Sequence, residues 1–401
     1  MMRIKLNSVV LFFWALLIII RINISLENPI IDHGTTVYYI ISYALITILF
    51  INCFASRSFK PPKVIIFGLI LFIFYALLFG KILVNQCLME EISYNFYSSL
   101  TFYIVIFLMA MYIRKQPKYL VNYIFVSYFV LSFSILVIFI ANIDNVQSIG
   151  ALISNVFLGY ERTRSSLGFI HPNYAGNIAL CSILMSSFYL KNKENKINPC
   201  VLVIDLFFVY CLFLTSSRTS ITGLILFIMT YIIFSNYVKI KSKKLKIFVV
   251  FSAVLFAICL LLFSSADVFN KLFLMSNRSG NFLVNIPILV SNHRVWIGLG
   301  YIGAGEFANL SYNTFLVDNY FLYVLMSTGI IGLLFVVPFT LVLAKRIFQK
   351  KDVSQMDLII RSIFIVNIFS SMLETCFMYP SMVSCFILSV LYLYYLPKEN
   401  G

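Results

Sequence analysis

Long apolar runs, separated by short polar connections, recur along the whole chain. A transmembrane helix needs about 20 consecutive, mostly apolar residues, and twelve runs approach or reach that length. The pattern predicts an all-α, polytopic membrane protein in which residues 1–401 form a single integral membrane domain. The predicted spans are Ser8–Ile24, Thr36–Phe54, Val64–Leu83, Phe96–Ile113, Tyr119–Ile140, Tyr174–Leu190, Cys200–Leu214, Thr219–Tyr237, Ile247–Ser264, Tyr320–Ala344, Leu358–Tyr379 and Met382–Leu396.

Composition and charge agree with this pattern. Hydrophobic residues make up 61% of the chain and charged residues 11%, whereas soluble domains are roughly 45–50% apolar and 25% charged. A soluble globule, a disordered chain and a disulfide-stapled secreted domain are therefore excluded. The net charge of +15 would suggest a nucleic-acid partner in a soluble protein.

Sorting the charges by side of the membrane changes that interpretation. The connections alternate between two sides, and one side carries about 22 of the 30 lysine and arginine residues. That side is predicted to be cytoplasmic, with both termini inside, because cytoplasmic loops are enriched in basic residues. The charge is thus a topology signal, and nucleic acid is not an expected partner.

The external side has two long connections, Ala141–Asn173 and Ser265–Asn319. Loops longer than about 15 residues are usually functional or disordered. The second, residues 265–319 between the ninth and tenth spans, contains Trp296 and several apolar residues, too many for disorder. We expect it to fold over the external face, where all three histidines also lie.

The sixth, eighth and tenth spans begin on the external side and present their N-termini there. Unpaired N–H groups and the positive end of the helix dipole favour an anion at such ends. Before the sixth span, Arg162, Arg164 and His171 precede Pro172, a residue suited to the first helical position. They either form an ordinary loop that leads into a helix, or hold an anion over its end.

The other two external starts carry basic residues as well. Arg218, within the stretch Thr215–Ser220, opposes the dipole of the helix it begins and breaks the positive-inside pattern, so we interpret it as an anion ligand. Arg294 follows His293 in the long loop. Asp318 either caps the tenth span or acts as a base or acceptor for a substrate hydroxyl.

Arginine matches phosphate oxygens in bidentate fashion. Several arginines at a membrane face therefore favour a lipid-linked phosphate or pyrophosphate as ligand. Glu374 and Asp205 are predicted to lie within spans, where ionisable residues are costly and often functional. Glu374 could orient one of the arginines.

Two glycine patterns are weaker signals. Residues 298–303 match GxGxxG, but no strand–helix unit surrounds them, so a tight turn is a better interpretation than a dinucleotide site. Gly329 and Gly332 are predicted to allow close helix packing. The eight cysteines show no metal-ligand spacing, and no metal or other cofactor is expected.

The motifs occur in an ordered series that resembles bacterial O-antigen polymerases, the Wzy-type members of the O-antigen polymerase/ligase superfamily. The resemblance covers about the second half of the chain. The motifs are Arg164, Gly168-Phe169, His171-Pro172-Asn173 and Gly176, then Thr215–Thr219, then Asn292-His293-Arg294, Trp296 and Gly298-Leu299-Gly300, then Asp318–Leu322 and Gly329–Gly332.

The resemblance implies a metal-independent glycosyltransferase in the bacterial inner membrane. It would polymerise undecaprenyl-pyrophosphate-linked oligosaccharide repeat units of O-antigen or a similar surface polysaccharide. A flippase and a chain-length regulator are candidate partners, beside the membrane lipid itself. Arg164, Arg218 and Arg294, with Arg162 and Asn173, are the expected pyrophosphate ligands; His171, Asp318 and Glu161 are the candidate bases.

Two other functions remain open from the sequence. Related ligases usually carry histidine where this chain has Asp318, which favours a polymerase over a ligase. A lipid-linked oligosaccharide flippase or other transporter would be expected to show two related halves and charges along a midplane path. The sequence shows neither feature.

Overall fold

A computed structural model describes residues 6–54, 62–84, 89–142, 148, 150–152, 164–192, 199–239, 278–300, 317–349 and 353–396. Those residues form helices joined by turns, and no β-strand occurs among them. The helices are α1 (Leu6–Ile24), α2 (Gly34–Phe54), α3 (Lys63–Val84), α4 (Met89–Ile113), α5 (Pro117–Ala141), α6 (Pro172–Asn192), α7 (Pro199–Thr215), α8 (Arg218–Lys239), α9 (Arg278–Ser291), α10 (Tyr320–Gln349), α11 (Gln355–Ser371) and α12 (Val383–Tyr394).

The helices confirm a polytopic membrane protein. Among the described residues, seven helices are long and apolar enough to cross a bilayer, namely α1–α5, α8 and α10. Every predicted span coincides with a helix except Ile247–Ser264, which lies outside the described residues. Two predicted ends were wrong by more than a few residues. Helix α4 begins at Met89 and not at Phe96, and α11 stops at Ser371, after which the chain continues to Met382 in turns.

The short helix α12 forms the centre of the bundle. Its residues Val383–Leu393 are all buried, and it packs against α1, α4, α6, α10 and α11. Because α12 is buried on every side within the protein, other helices and not lipid surround it. Further contacts join α8 to α11 and α7 to α6.

Contacts between helix ends fall into two groups, as an alternating topology requires. In one group, the guanidinium of Arg114, which follows α4, donates to the carbonyls of Leu393 (3.2 Å), Tyr394 (2.7 Å) and Leu396 (2.5 Å) at the end of α12. Burial lowers the pKa of Arg114 from its ordinary value, but a guanidinium stays protonated in proteins. We call this side of the bundle the α12-end face.

The opposite side carries the candidate site, and we call it the α12-start face. Here the α1–α2 loop pairs with the loop that precedes α6. Glu27 N–H donates to Gly168 O and Ile170 N–H donates to Ser25 O, both at 3.0 Å. This side corresponds to the predicted external side.

Helix α10 is sharply bent. At one end Arg361 of α11 donates to Ile347 O (3.2 Å), and at the other Asn319 donates to Met372 O (2.8 Å). A straight helix from Asn319 to Ile347 would be about 42 Å long, whereas Arg361 to Met372 corresponds to only about 17 Å. The two paths share both ends, so α10 must bend, and it does so at Gly329, whose backbone is not helical (φ 67°, ψ −164°).

A segment that precedes α10 in the chain forms main-chain hydrogen bonds to α10 on both sides of this break. We call this segment, Val295–Gly300, the splint. Two of its N–H groups donate to α10 above the break, and two N–H groups of α10 below the break donate to the splint. The bonds are Leu299 N–H to Met326 O (2.6 Å), Gly300 N–H to Ser327 O (2.9 Å), Ile330 N–H to Val295 O (2.9 Å) and Ile331 N–H to Trp296 O (3.2 Å). The splint thus supplies bonds that an unbroken helix would make within itself.

Two glycines make this contact between backbones feasible. A Cβ on Gly298 would lie 2.4 Å from the Ser327 carbonyl carbon, and one on Gly329 would lie 2.3 Å from the Trp296 carbonyl. Both residues also have positive φ, of 75° and 67°. Gly298 therefore lies in a tight turn, as predicted, whereas Gly329 packs against the splint and not against another helix.

Candidate functional site

The turn between α7 and α8 is buried and polar. Ser216 adopts a left-handed conformation (φ 45°), which ends α7 and lets the next residue start α8. Ser217 O accepts the N–H of Ile221 (2.9 Å), so Ser217 occupies the N-cap position. A Cβ on Gly176 would lie 2.7 Å from Ser217 Cβ, which shows how closely the start of α6 approaches this turn.

Arg164 joins the end of α7 to the start of α6. Its loop is fixed by Ser165 N–H, which donates to Leu214 O (3.1 Å). The guanidinium donates from Nε to Thr215 O (3.4 Å) and from Nη2 to Asn173 Oδ1. Arg164 and Asn173, both predicted as pyrophosphate ligands, are therefore brought together at one helix start.

Glu374 is the carboxylate on which this arrangement converges. Its Oε1 accepts hydrogen bonds from Asn173 Nδ2 (2.6 Å) and from Thr219 Oγ1 (3.2 Å), and the residue is only 9% exposed. Thr219 follows Arg218 in the first turn of α8. One carboxylate thus braces the starts of both α6 and α8, and we call Arg164, Asn173, Arg218, Thr219 and Glu374 the Glu374 cluster.

The position of Glu374 corrects a prediction. Glu374 was expected within the eleventh span, but α11 ends at Ser371 and Glu374 lies in the turns that follow, Met372–Met382. An ionisable residue in an apolar run did signal importance. Its two donors come from distant parts of the chain, so periodicity along the sequence gives no indication of them.

A buried arginine anchors the same turns from the opposite direction. Arg21, at the end of α1, is 1% exposed and donates to Pro380 O. Its guanidinium also lies over the ring of Tyr38, 5.1 Å from the centroid, a favourable cation–π geometry. The sequence marked Arg21 only as an external charge; the structure makes it a support for the segment that carries Glu374.

At the start of α10 the N-cap is Asn319 and not Asp318. Asn319 Oδ1 accepts the N–H of Leu322 (2.9 Å), the side-chain bond that defines a cap. Its Nδ2 donates to Met372 O, so α10 starts beside the turns that carry Glu374. Asp318 is half-buried next to the cap, and its interpretation as a simple N-cap was wrong.

His171 lies at the start of α6, as predicted. Its Nδ1 accepts the N–H of Asn173 (3.1 Å), and Pro172 is the first residue of the helix. The side chain is exposed, at the outer edge of the Glu374 cluster. The other residues predicted beside it, Glu161 and Arg162, lie outside the described residues.

Arg294 lies with a different group of residues. It follows His293, which ends α9 in a left-handed conformation (φ 55°), and its N–H donates to Leu289 O (3.1 Å). This is the Schellman pattern of a helix C-terminus, with histidine where glycine is usual. Arg294 immediately precedes the splint on α10, and no described contact joins it to the Glu374 cluster.

The Glu374 cluster is suited to a polyanionic ligand. Arg164 and Arg218 lie at neighbouring helix N-termini, where backbone dipoles add positive potential. One carboxylate orients the polar side chains between them and offsets part of their repulsion. Among the described residues, no group of three or more His, Cys, Asp or Glu side chains could hold a metal ion.

A scan against protein-family models and a search of curated proteins found no match to this chain.

Proposed function

We propose that this protein polymerises oligosaccharide repeat units carried on undecaprenyl pyrophosphate, at the external face of a bacterial inner membrane. The observation that carries the proposal is the Glu374 cluster. It holds arginines at two helix starts on one face of a membrane bundle, where a lipid-linked pyrophosphate would lie. The ordered motifs of the second half of the chain support the same reaction class.

In the proposed reaction the terminal hydroxyl of one chain attacks the anomeric carbon of another. A new C–O glycosidic bond forms, the bond from that carbon to the pyrophosphate oxygen breaks, and undecaprenyl pyrophosphate leaves. The proton of the hydroxyl passes to a base, for which His171, Asp318 and Glu161 are the candidates. Arg164 and Arg218 stabilise the charge that develops on the leaving group.

Arg218 is the sharpest test of this role. It costs helix stability at its position, because a cation in the first turn opposes the dipole. We expect Arg218→Ala to lower the rate of polymerisation about 10²–10³-fold. Chain-length ladders should then disappear, while single-repeat-capped lipid and membrane insertion persist. Arg218→Lys should recover only part of the activity, because lysine lacks the bidentate fork.

Arg294→Ala is expected to abolish the ladders as well. This variant tests whether the arginine next to the splint binds the same lipid-linked pyrophosphate. Lys118→Ala, an exposed cation on the α12-end face, is the matched control and should leave the ladders unchanged. Normal ladders in both Arg218→Ala and Arg294→Ala would contradict the proposed site.

The phenotype of a deletion strain separates the two alternatives. Long polymer that stays on its lipid carrier, beside a core with no attached chain, would identify a ligase. Repeat units that accumulate on the cytoplasmic face would identify a flippase. The proposed polymerase instead predicts core capped by a single repeat.

A further inference from the structure

Between Phe282 and Val290, helix α9 exposes no polar side chain. Its buried side, which includes Asn285 and Leu289, packs on α10. At 100° per residue, the exposed side chains cover about half of the helix circumference, and all of them from Phe282 to Val290 are apolar. They are Phe282, Leu283, Val284, Ile286, Pro287 and Val290.

We infer that α9 and the splint form a re-entrant membrane element, embedded among the acyl chains of the bilayer, and not a water-exposed external loop. A helix that rests at the membrane surface keeps one polar face for water, and α9 has none between Phe282 and Val290. With about 14 residues it is also shorter than the roughly 20 that a full span needs. The element therefore enters the membrane and returns.

The energetics favour lipid over water as the partner. Leu283 is 75% exposed and Val290 54% exposed, and transfer of such apolar surface out of water is favourable. Helix α10, on which α9 packs, is apolar enough to span the membrane and exposes Leu334 and Leu341 to a similar extent. The exposed apolar side chains of α9 thus resemble those of a neighbouring helix that spans the membrane.

The splint meets a second requirement of the bilayer. Irregular backbone is tolerated at membrane depth only where its N–H and C=O groups are paired with protein or line a water-filled cavity. The splint forms four main-chain bonds with α10, and Gly298 N–H donates to Arg294 O (2.7 Å). A loop in water has no need for such pairing, because water would satisfy those groups.

Spin labels on α9 test the inference in liposomes. Leu283→Cys and Val290→Cys would be labelled one at a time, with Cys87 and the exposed Cys200 replaced by serine. Leu341→Cys on α10 is the lipid-facing control, and the exposed loop residue Glu27→Cys is the water-facing control.

We expect labels at both α9 sites to match the Leu341 control, with high accessibility to oxygen and low accessibility to a water-soluble nickel chelate. High chelate accessibility, as at Glu27, would place α9 in water and overturn the inference. Low accessibility to both reagents would mean that protein covers the face, and would overturn it equally.

Tryptophan fluorescence tests the splint without any label. The chain has two tryptophans, Trp14, which is fully buried, and Trp296, which is 64% exposed. In a Trp14→Phe variant, lipids brominated on their acyl chains should quench Trp296 several-fold more than iodide in the buffer does. Stronger quenching by iodide, or no quenching by either agent, would overturn the membrane position of the splint. This result does not depend on the activity of the protein.

Discussion

A buried carboxylate that accepts two hydrogen bonds controls the geometry around it. Glu374 accepts hydrogen bonds from Asn173 and Thr219, and Asn173 in turn accepts a hydrogen bond from Arg164. Removal of such an acceptor leaves buried donors unsatisfied, at about 1–3 kcal/mol for each group. The charge of Glu374 also balances the arginines of its cluster. We therefore expect its loss to affect both stability and substrate binding.

Glu374→Ala should lower the thermal midpoint of the detergent-solubilised protein and abolish chain-length ladders, because α6 and α8 lose their shared acceptor. Glu374→Gln keeps an oxygen that can accept a hydrogen bond, so it should retain more thermal stability than the alanine variant. Glu27→Ala, an exposed glutamate on the same face, is the control. Equal midpoints for Glu374→Ala and Glu27→Ala would contradict the bracing role.

The sequence indicated which residues start the helices of the candidate site better than it indicated their contacts. Arg164, Asn173 and His171 lie close along the chain, and local capping chemistry brings them together at α6. The distinction between Asp318 and Asn319 could not be made, because both residue types cap helices and they are adjacent. The two donors to Glu374 come from other helices, so only the tertiary fold brings them to it.

At the level of elements, α10 depends on a partner segment for its own hydrogen bonds. Its break requires glycine on both sides of the contact, since Gly298 and Gly329 have positive φ and no room for a Cβ. The conformation of Gly329 is one that residues with a side chain essentially do not adopt. Substitution should therefore affect the splint and α10 together.

Gly329→Ala and Gly298→Ala should each destabilise the protein by at least about 1–3 kcal/mol, observed as a lower thermal midpoint in detergent. Gly150→Ala is the control, because nothing lies within 4 Å of a Cβ at that position. If Gly329→Ala melts at the temperature of the Gly150→Ala control, the splint is not a determinant of stability.

Helix α12 provides a second test at this scale. Arg114 satisfies three carbonyls at its C-terminus, where a cation is also favoured by the helix dipole. Arg114→Ala should lower the free energy of unfolding by about 2–4 kcal/mol. Each hydrogen bond to a charged group contributes about 1.5–3 kcal/mol, and water replaces part of what is lost. Lys118→Ala, nearby and exposed, should cost almost nothing, and similar urea midpoints for the two variants would refute this prediction.

Across the whole molecule, the two groups of helix ends define two faces. The bilayer explains why hydropathy predicted most of the helices correctly, since backbone in lipid must bond within its own helix. The same reasoning fails where protein replaces lipid. Helix α11 ends early because its turns are supported by Arg21 and Asn319, and α10 breaks because the splint pairs with it.

The predicted orientation assigns the α12-start face to the outside of the cell. In the background without Cys87 and Cys200, Glu27→Cys should react with a membrane-impermeant maleimide in intact spheroplasts. Lys118→Cys should react only after the membrane is permeabilised. The reverse pattern would invert the topology, and reaction of both sites in intact spheroplasts would rule out the two-faced arrangement.

The central position of α12 has a consequence for biosynthesis. The ribosome makes α12 after all the other described helices, and Glu374 emerges only shortly before it. Until then α1, α4 and α6 lack the helix against which they pack, and the starts of α6 and α8 lack their shared acceptor. A nascent chain can therefore enter the membrane helix by helix, yet the candidate site forms only after α12 has been made, so chains that stop before α12 should be inactive and prone to degradation.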